Sequence, residues 1–123
     1  IKILDFGFAT NTKNSHGKTK YHNIFCGSMH YVAPEIVNNL PYDGCKADVW
    51  ALGVTLYTML TGQFPFDSTL GNNQIIFAKI RENRPKCPRF LSTGAQNLLK
   101  SMMNSIPSKR PSVSVIMEHQ WFY

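Results

Sequence analysis

The stretch from Ala47 to Leu60 constrains the fold most strongly, because nearly all of its residues are apolar. Only Asp48, Thr55 and Thr58 are polar, and their spacing places them on one narrow stripe of a helix. A helix that is apolar nearly all round is buried in the centre of its domain. Asp48 is expected in the first turn, where a carboxylate opposes the positive helix end. The sequence therefore predicts a central, buried helix over these residues.

Capping residues followed by apolar residues at helical spacing predict three further helices. The first begins at Asn72 or Asn73 and runs to about Glu82. Thr93 opens the second with a capping box, and Ser112 caps the last. The core residues expected from these helices are Ile76, Phe77, Ile80, Ala95, Leu98, Leu99, Met102, Met103, Val113, Ile116 and Met117.

The first four residues, Ile1–Leu4, predict a short β-strand that leads into the triplet Asp5-Phe6-Gly7. A carboxylate at a strand end, followed by a flexible glycine, can face a phosphate-bound Mg²⁺, a hard cation that takes oxygen ligands. Asp5 is therefore a candidate metal ligand. An ordinary strand-to-loop turn would give the same triplet, so the motif alone does not decide between the two.

Composition restricts the compartment and the class of partner. The chain is 43% apolar, as globular proteins are, and has no apolar run near the ~18 residues that span a bilayer, so no membrane partner is expected. Its three cysteines lie far apart, which favours free thiols in the cytoplasm or nucleus. The net charge is +6, but the basic residues are spread along the chain without interleaved aromatics, which argues against nucleic-acid binding.

A polar, basic loop of 25 residues separates the triplets Asp5-Phe6-Gly7 and Ala33-Pro34-Glu35. Such a long loop without a helix or strand pattern is usually functional or disordered. Its residues 10–23 include three lysines and two histidines and no acid. A phosphate on Ser15, Thr19 or Tyr21 could pair with these basic groups and order the loop. The alternative is a flexible, solvated loop whose hydroxyls have no role.

The residues from Cys26 to Glu35 resemble the protein kinase pattern Cys-Gly-Thr/Ser-x-x-Tyr-x-Ala-Pro-Glu, with seven positions matched in register. The resemblance implies that the loop is a kinase activation segment. The hydroxyl at the position of Ser28 then reaches the catalytic Asp, and Gly27, Ser28 and Tyr31 receive the substrate peptide. Tyrosine kinases typically carry Pro at that position, so Ser28 favours a serine/threonine kinase.

Resemblance also assigns the cofactors and the branch of the family. Asp5, with Phe6 and Gly7, would bind ATP and its Mg²⁺, and Asp5 would be the metal ligand. Ile24 occupies the position of the usual loop phosphosite and cannot be phosphorylated. This departure suits the checkpoint-kinase branch, which can be active without that phosphate. The calcium/calmodulin-dependent and AMP-activated kinases are the neighbouring comparisons.

Two further matches extend the resemblance along the chain. The D-x-W-x-x-G spacing of Asp48, Trp50 and Gly53 is similar to the central helix of the kinase large lobe, where Asp48 would brace the catalytic loop. In the same family Glu35 would pair with Arg110, and we expect this structural ion pair to be buried. The implied fold is mainly α, the C-terminal large-lobe portion of the bilobal kinase fold, with residues 1–123 as a partial kinase domain.

Three kinase elements are absent from the 123 residues: a G-x-G-x-x-G loop, a V-A-I-K lysine and an H-R-D-x-x-x-x-N catalytic loop. The chain alone is therefore expected to be inactive, and phosphoryl transfer to Ser or Thr of a protein substrate requires an upstream half. Two alternatives stay open. The chain could be a pseudokinase or truncated product acting as a binding module, or an unrelated helical domain with accidental motifs.

Overall fold

The computed structural model describes residues 1–69 and 71–123, and most of the regular structure in these ranges is helical. Two short antiparallel strands, β1 (Tyr21–His22) and β2 (Tyr42–Asp43), form the sheet. No helix in the described ranges is long and apolar enough to cross a membrane. The predicted mainly α class is confirmed. The helices are α1 (Pro34–Val37), α2 (Gly44–Thr61), α3 (Asn73–Glu82), α4 (Thr93–Met102) and α5 (Val113–Met117).

Helix α2 begins three residues earlier than predicted because Asp43 caps it. The Asp43 carboxylate accepts a hydrogen bond from the backbone N–H of Cys45 at 2.9 Å. Asp48 consequently lies in the second turn, so the expected first-turn position was wrong. Gly62 ends the helix in the left-handed conformation with φ 71°, and its N–H donates to the carbonyl of Thr58.

Two groups of buried side chains pack against α2. Trp50, Val54 and Tyr57 contact the larger group, and Val49 contacts the smaller one. The larger group also takes residues from the loop before α1 and from α1, α3 and α4, which places α2 between the other helices. The buried partners include Val32, Ala33, Ile36, Phe66, Ile76, Ile80, Leu99 and Met103 in the larger group, and Leu98, Met102 and Ile116 in the smaller.

One face of α2 is open to solvent. Leu52 is 45% exposed and Met59 is 73% exposed. An apolar groove of about 140 Å³ beside them is also lined by Leu56, Trp121 and Phe122. The expectation of a helix buried all round was therefore wrong for this face, because none of the described residues covers it.

The other helices begin at or next to the predicted capping residues, but α5 buries fewer side chains than predicted. Asn72 caps α3 and Ser112 caps α5, as predicted. Helix α4 is capped by Ser92 rather than Thr93, since the Ser92 hydroxyl accepts from the N–H of Ala95 at 3.2 Å. In α5 only Ile116 is buried, while Val113 and Met117 are more than half exposed. A helix of five residues is too short to bury a full apolar stripe.

Residues Ile1–Leu4 form no strand, so the predicted strand before Asp5 was wrong. All four side chains are exposed. A strand is held by hydrogen bonds to a neighbouring strand, and none of the described residues pairs with this stretch. Ile1 and Ile3 favour a strand locally, but a strand forms only when a neighbouring strand pairs with it.

We predict that Gly53→Ala destabilises the chain by roughly 1–2 kcal/mol, since overpacking exceeds the gain in helix propensity. A Cβ at this position would lie 2.9 Å from Met103 Cγ and 3.0 Å from Met102 Cβ. Denaturant unfolding of the two proteins measures the difference. Gly44→Ala in the same helix is the control, because its Cβ would meet His22 at an ordinary 3.7 Å. Equal losses in both variants would contradict the packing argument.

Candidate active site

A buried ion pair closes the C-terminal end of the segment from Asp5 to Glu35. Arg110 Nη1 donates to Glu35 Oε1 at 2.7 Å, and Arg110 Nη2 donates to Glu35 Oε2 at 2.6 Å. Glu35 is 5% exposed and Arg110 is 1% exposed. The planar guanidinium therefore grips the carboxylate with two parallel bonds across 75 positions of sequence.

The rest of the Arg110 side chain is also satisfied. Its Nε donates to the carbonyl of Asn104 at 2.8 Å, and its Nη1 also donates to the carbonyl of Lys46 at 2.9 Å. The guanidinium lies 5.1 Å from the ring centre of Trp50, and that ring stacks on Phe66 with 5.6 Å between centroids. These contacts lock the end of the segment to the first half of α2.

A cleft of about 620 Å³ opens between this segment and α2. The structure brings five of the candidate site residues to it: Gly7, Gly27, Ser28, Tyr31 and Asp48. Its floor contains buried apolar residues from the end of the segment, from α1 and from β2. Asp5 and Phe6 are not among the residues that line it.

Asp5 lies on an exposed turn instead of at a strand end. Its backbone is left-handed, with φ 61°, a conformation that Asp tolerates better than most residues. Its Oδ1 accepts a hydrogen bond from the N–H of Gly7 at 3.1 Å. Among the described residues the carboxylate has no cationic partner, so its oxygens are available to a cation. The neighbouring Phe6 is 70% exposed.

The substrate-facing candidates form a short turn at the cleft. Gly27 has φ 98°, which favours glycine, and the next three residues after Ser28, Met29–Tyr31, make one turn of 3-10 helix. The N–H of Tyr31 donates to the Ser28 carbonyl at 3.0 Å. The Ser28 side chain is exposed and caps no helix N–H. Ser28 is thus an exposed residue of the cleft lining.

Asp48 projects from α2 toward the same cleft. Partial desolvation, with the nearby Asp43 carboxylate as a smaller cause, raises the pKa of Asp48 above its usual value. Its carboxylate makes no ion pair within the described ranges. Hydrogen bonds from backbone N–H groups would stabilise the charged form of such a carboxylate, because they offset its desolvation.

The loop between the two triplets contains a β-hairpin, so the expectation of no regular structure was wrong. Lys13 and Thr19 form an isolated antiparallel bridge, and the Asn14 side chain accepts from the N–H groups of His16 and Lys18 at the turn. The candidate phosphosites occupy different places in it. Ser15 lies at the exposed tip, with its Oγ 3.2 Å from His16 Nδ1, Thr19 is half-buried at the bridge, and Tyr21 is 63% exposed in β1.

Sequence reasoning missed Tyr42 as a residue that positions the segment. The buried Tyr42 donates from its hydroxyl to the carbonyl of Ile24 at 2.8 Å, which ties the segment to β2. Burial, and then the neighbouring Cys26, raise the pKa of the Tyr42 hydroxyl, so it stays a donor at neutral pH. No local pattern marks this residue, because its partner lies 18 positions away.

Sequence reasoning also missed His30. Its ring stacks on Phe64 with 4.1 Å between centroids, and its Nε2 lies 3.2 Å from Asp67 Oδ1. Asp67 Oδ1 also accepts from the N–H of Ser68 at 2.7 Å. The Ser68 bond first, and the His30 bond second, lower the pKa of Asp67. The pair joins the turn at Met29–Tyr31 to the loop after α2.

Comparison with known proteins identifies close sequence relatives. The family model described as "Protein kinase domain" matches residues 1–122. The chain is 38% identical over 122 residues to "CBL-interacting protein kinase 21" of Oryza sativa subsp. japonica, covering 99% of this chain and 23% of that protein. It is 40% identical to "CBL-interacting serine/threonine-protein kinase 17" of Arabidopsis thaliana, covering 99% and 28%. It is 42% identical to "Mitosis inducer protein kinase cdr1" of Schizosaccharomyces pombe, covering 97% and 19%. The chain thus spans less than a third of the length of each of these relatives.

We predict that Arg110→Ala destabilises the chain by on the order of 3–5 kcal/mol, because it leaves the buried Glu35 carboxylate without its partner. Thermal or denaturant unfolding measures the loss. Lys109→Ala is the control, since that neighbouring side chain is exposed. An Arg110→Ala protein as stable as its parent would contradict a structural role for the pair.

We predict that His30→Ala raises the pKa of Asp67 toward its usual value, because it removes one of the two hydrogen bonds that lower it. A depressed carboxyl pKa contributes stability above the unfolded-state pKa of about 4, which is lost as the pH falls through the folded-state pKa. NMR titration of the Asp67 carboxyl tests this. His16→Ala on the exposed hairpin is the control. An unchanged Asp67 titration in His30→Ala would refute the coupling.

Proposed function

Because the chain belongs to the protein kinase family, whose model matches residues 1–122, we propose that it forms the metal-binding and substrate-facing part of a serine/threonine kinase. The reaction is ATP-dependent phosphoryl transfer to Ser or Thr of a protein substrate. The cleft that gathers Gly7, Gly27, Ser28 and Asp48 is the observation that carries the proposal.

Asp5 is the proposed ligand for Mg²⁺ at the ATP phosphates. Its exposed carboxylate has one backbone hydrogen bond and no cationic partner among the described residues, and carboxylate oxygens suit this hard cation. The bond from the Gly7 N–H orients the Asp5 side chain and leaves further lone pairs on both oxygens. When bound, Mg²⁺ neutralises charge that develops on the transferred phosphoryl group. Phe6 and Gly7 complete the turn that presents the carboxylate.

Gly27, Ser28 and Tyr31 are proposed to hold the acceptor peptide. The 3-10 turn and the edge-on contact of Tyr31 with Phe64, 5.7 Å between centroids, keep this stretch in place at the cleft. The Ser28 hydroxyl can donate or accept a hydrogen bond, so it can bridge a peptide backbone and a catalytic carboxylate. Positioning of this kind supplies much of the rate enhancement in phosphoryl transfer, where the protein performs little covalent chemistry.

Asp48 is proposed as a positioning residue for the catalytic loop. Its raised pKa reflects partial desolvation and the nearby Asp43 carboxylate. Backbone N–H groups of a loop in the cleft would satisfy it and be held in return. That loop, with the general base and the phosphate-binding lysine, is absent from these 123 residues. The proposed activity therefore belongs to the protein that completes this cleft, and the chain alone is expected to be inactive.

The compartment remains a proposal as well. Cys26, Cys45 and Cys87 are free thiols in the structure. Free thiols suit the reducing cytoplasm or nucleus, which is where we place the protein.

We predict that Asp5→Ala lowers kcat/KM of the full-length gene product for Mg-ATP phosphotransfer by at least ~100-fold, since metal stabilisation of the transition state is worth several kcal/mol. A radiolabelled phosphotransfer assay on a Ser/Thr peptide measures it. Glu118→Ala, which changes an exposed acid just after α5, is the control. Ser28→Thr should keep activity and Ser28→Ala should lose it, because only the former retains the hydroxyl. Equal rates for wild type and Asp5→Ala would remove Asp5 from the mechanism.

A further inference from the structure

Residues 79–89, at the end of α3 and after it, carry a local excess of positive charge. Residues 79–89 contain five of the thirteen basic residues and one acid, a formal charge of +4 within a chain of +6. Two of these five cations are already bound within the fold. Arg81 donates to the Asn38 side chain at 3.0 Å and to the Val37 carbonyl at 3.1 Å, and Lys79 donates to the Asp67 carbonyl.

The other three cations, Arg84, Lys86 and Arg89, are exposed. None of them makes an ion pair or a side-chain hydrogen bond within residues 1–69 and 71–123. They lie on residues 84–90, which we name the basic strip, and the residues between the three cations are half-buried. The strip thus presents its charges outward and its intervening residues to the protein. Five residue steps span at most about 18 Å.

The backbone of the basic strip is held in place. The Tyr57 hydroxyl donates to the Lys86 carbonyl at 2.5 Å, and burial raises the pKa of that hydroxyl, so the donor persists at neutral pH. Immediately after the strip, Leu91 is buried and its carbonyl accepts from the Gln96 side chain at 2.9 Å. Pro85 and Pro88 restrict the backbone further. A pre-ordered segment loses little entropy when it binds a partner.

Phe90 adds an apolar contact at the end of the strip. Its side chain is 72% exposed, beside Arg89. Aromatic and arginine side chains are enriched in protein interfaces, where one buried anchor often carries much of the affinity.

We propose that the basic strip is a docking site for an acidic, extended segment of a partner protein, with Phe90 as its apolar anchor. The occupant is indicated by charge complementarity, since three cations without an ion-pair partner among the described residues, spaced along a backbone that is neither helix nor strand, can match carboxylates spaced along an extended segment. A base-stacking platform would need several interleaved aromatics, and Phe90 is alone in the strip. The proposal does not depend on the chain's catalytic role.

The test is fluorescence anisotropy of a labelled acidic peptide against the 123-residue chain. A peptide of about six Glu and Asp residues with one terminal Leu matches the span of the strip. The variant Arg84→Glu/Lys86→Glu/Arg89→Glu is expected to weaken binding at least about tenfold, because attraction becomes repulsion at three positions. Phe90→Ala should weaken it severalfold, and affinity should fall steeply with added NaCl.

A matched variant separates the site from the overall charge. Lys13→Glu/Lys18→Glu/Lys20→Glu changes the net charge by the same amount on the exposed hairpin, and it should bind within about twofold of wild type. Equal losses in the two triple variants, or no loss in the strip variant, would overturn the proposal. The milder Arg84→Gln/Lys86→Gln/Arg89→Gln variant, checked by circular dichroism, serves if the charge reversals fail to fold.

Two further probes distinguish the kind of partner. A single-stranded oligonucleotide of similar charge and phosphatidylserine vesicles are titrated against the same proteins. Preference for the acidic peptide supports the proposal. If the oligonucleotide or the vesicles bind the strip more tightly than the peptide does, the ligand is not an acidic protein segment and the proposal is overturned.

Discussion

The ion pair between Glu35 and Arg110 is the interaction on which the rest of this structure depends. Two charges withdrawn from water are stable only when their hydrogen bonds are satisfied, and here the guanidinium also bonds the carbonyls of Asn104 and Lys46. The pair rests on Trp50, which stacks on Phe66. Three distant parts of the chain are therefore held at one point, at the C-terminal end of the segment from Asp5 to Glu35.

Side-chain burial within the segment from Asp5 to Glu35 is greatest near this ion pair and least at the N-terminal end. Residues 32–37 are buried, Tyr42 and the β1–β2 pairing hold the middle, and residues 1–18 are exposed. Gly27, Ser28 and Tyr31, which are proposed to face the substrate, fall in the half that these contacts support. Asp5 falls in the exposed half, where its own turn provides the hydrogen bond that orients it. The proposed peptide site is thus built into the packed part of the fold, while the proposed metal ligand depends on local geometry.

Several features that depend on neighbouring residues were predicted correctly, whereas the strand, which depends on a distant partner, was not. Ser112 was placed correctly, and Asn72 is one of the two residues considered for the start of α3, because a cap acts on backbone groups within one turn. The strand at Ile1–Leu4 was wrong because a strand needs a partner, and Asp48 was placed one turn too early because Asp43 caps α2 instead. Met117 has a core residue's spacing, but α5 ends before it is covered.

The sequence by itself determined the helical class, the central helix and the motifs that identify the family. These features depend only on apolar periodicity and residue spacing, which are properties of the sequence. The pairing partner proposed for Arg110 came from resemblance, and its two-bond geometry over Trp50 came from the fold. Only the tertiary structure decided that His30 contacts Asp67, that Tyr42 bonds the Ile24 carbonyl, and that Arg84, Lys86 and Arg89 have no ion-pair partner within residues 1–69 and 71–123. These contacts join residues far apart in sequence, and packing of the helices alone sets which of them approach.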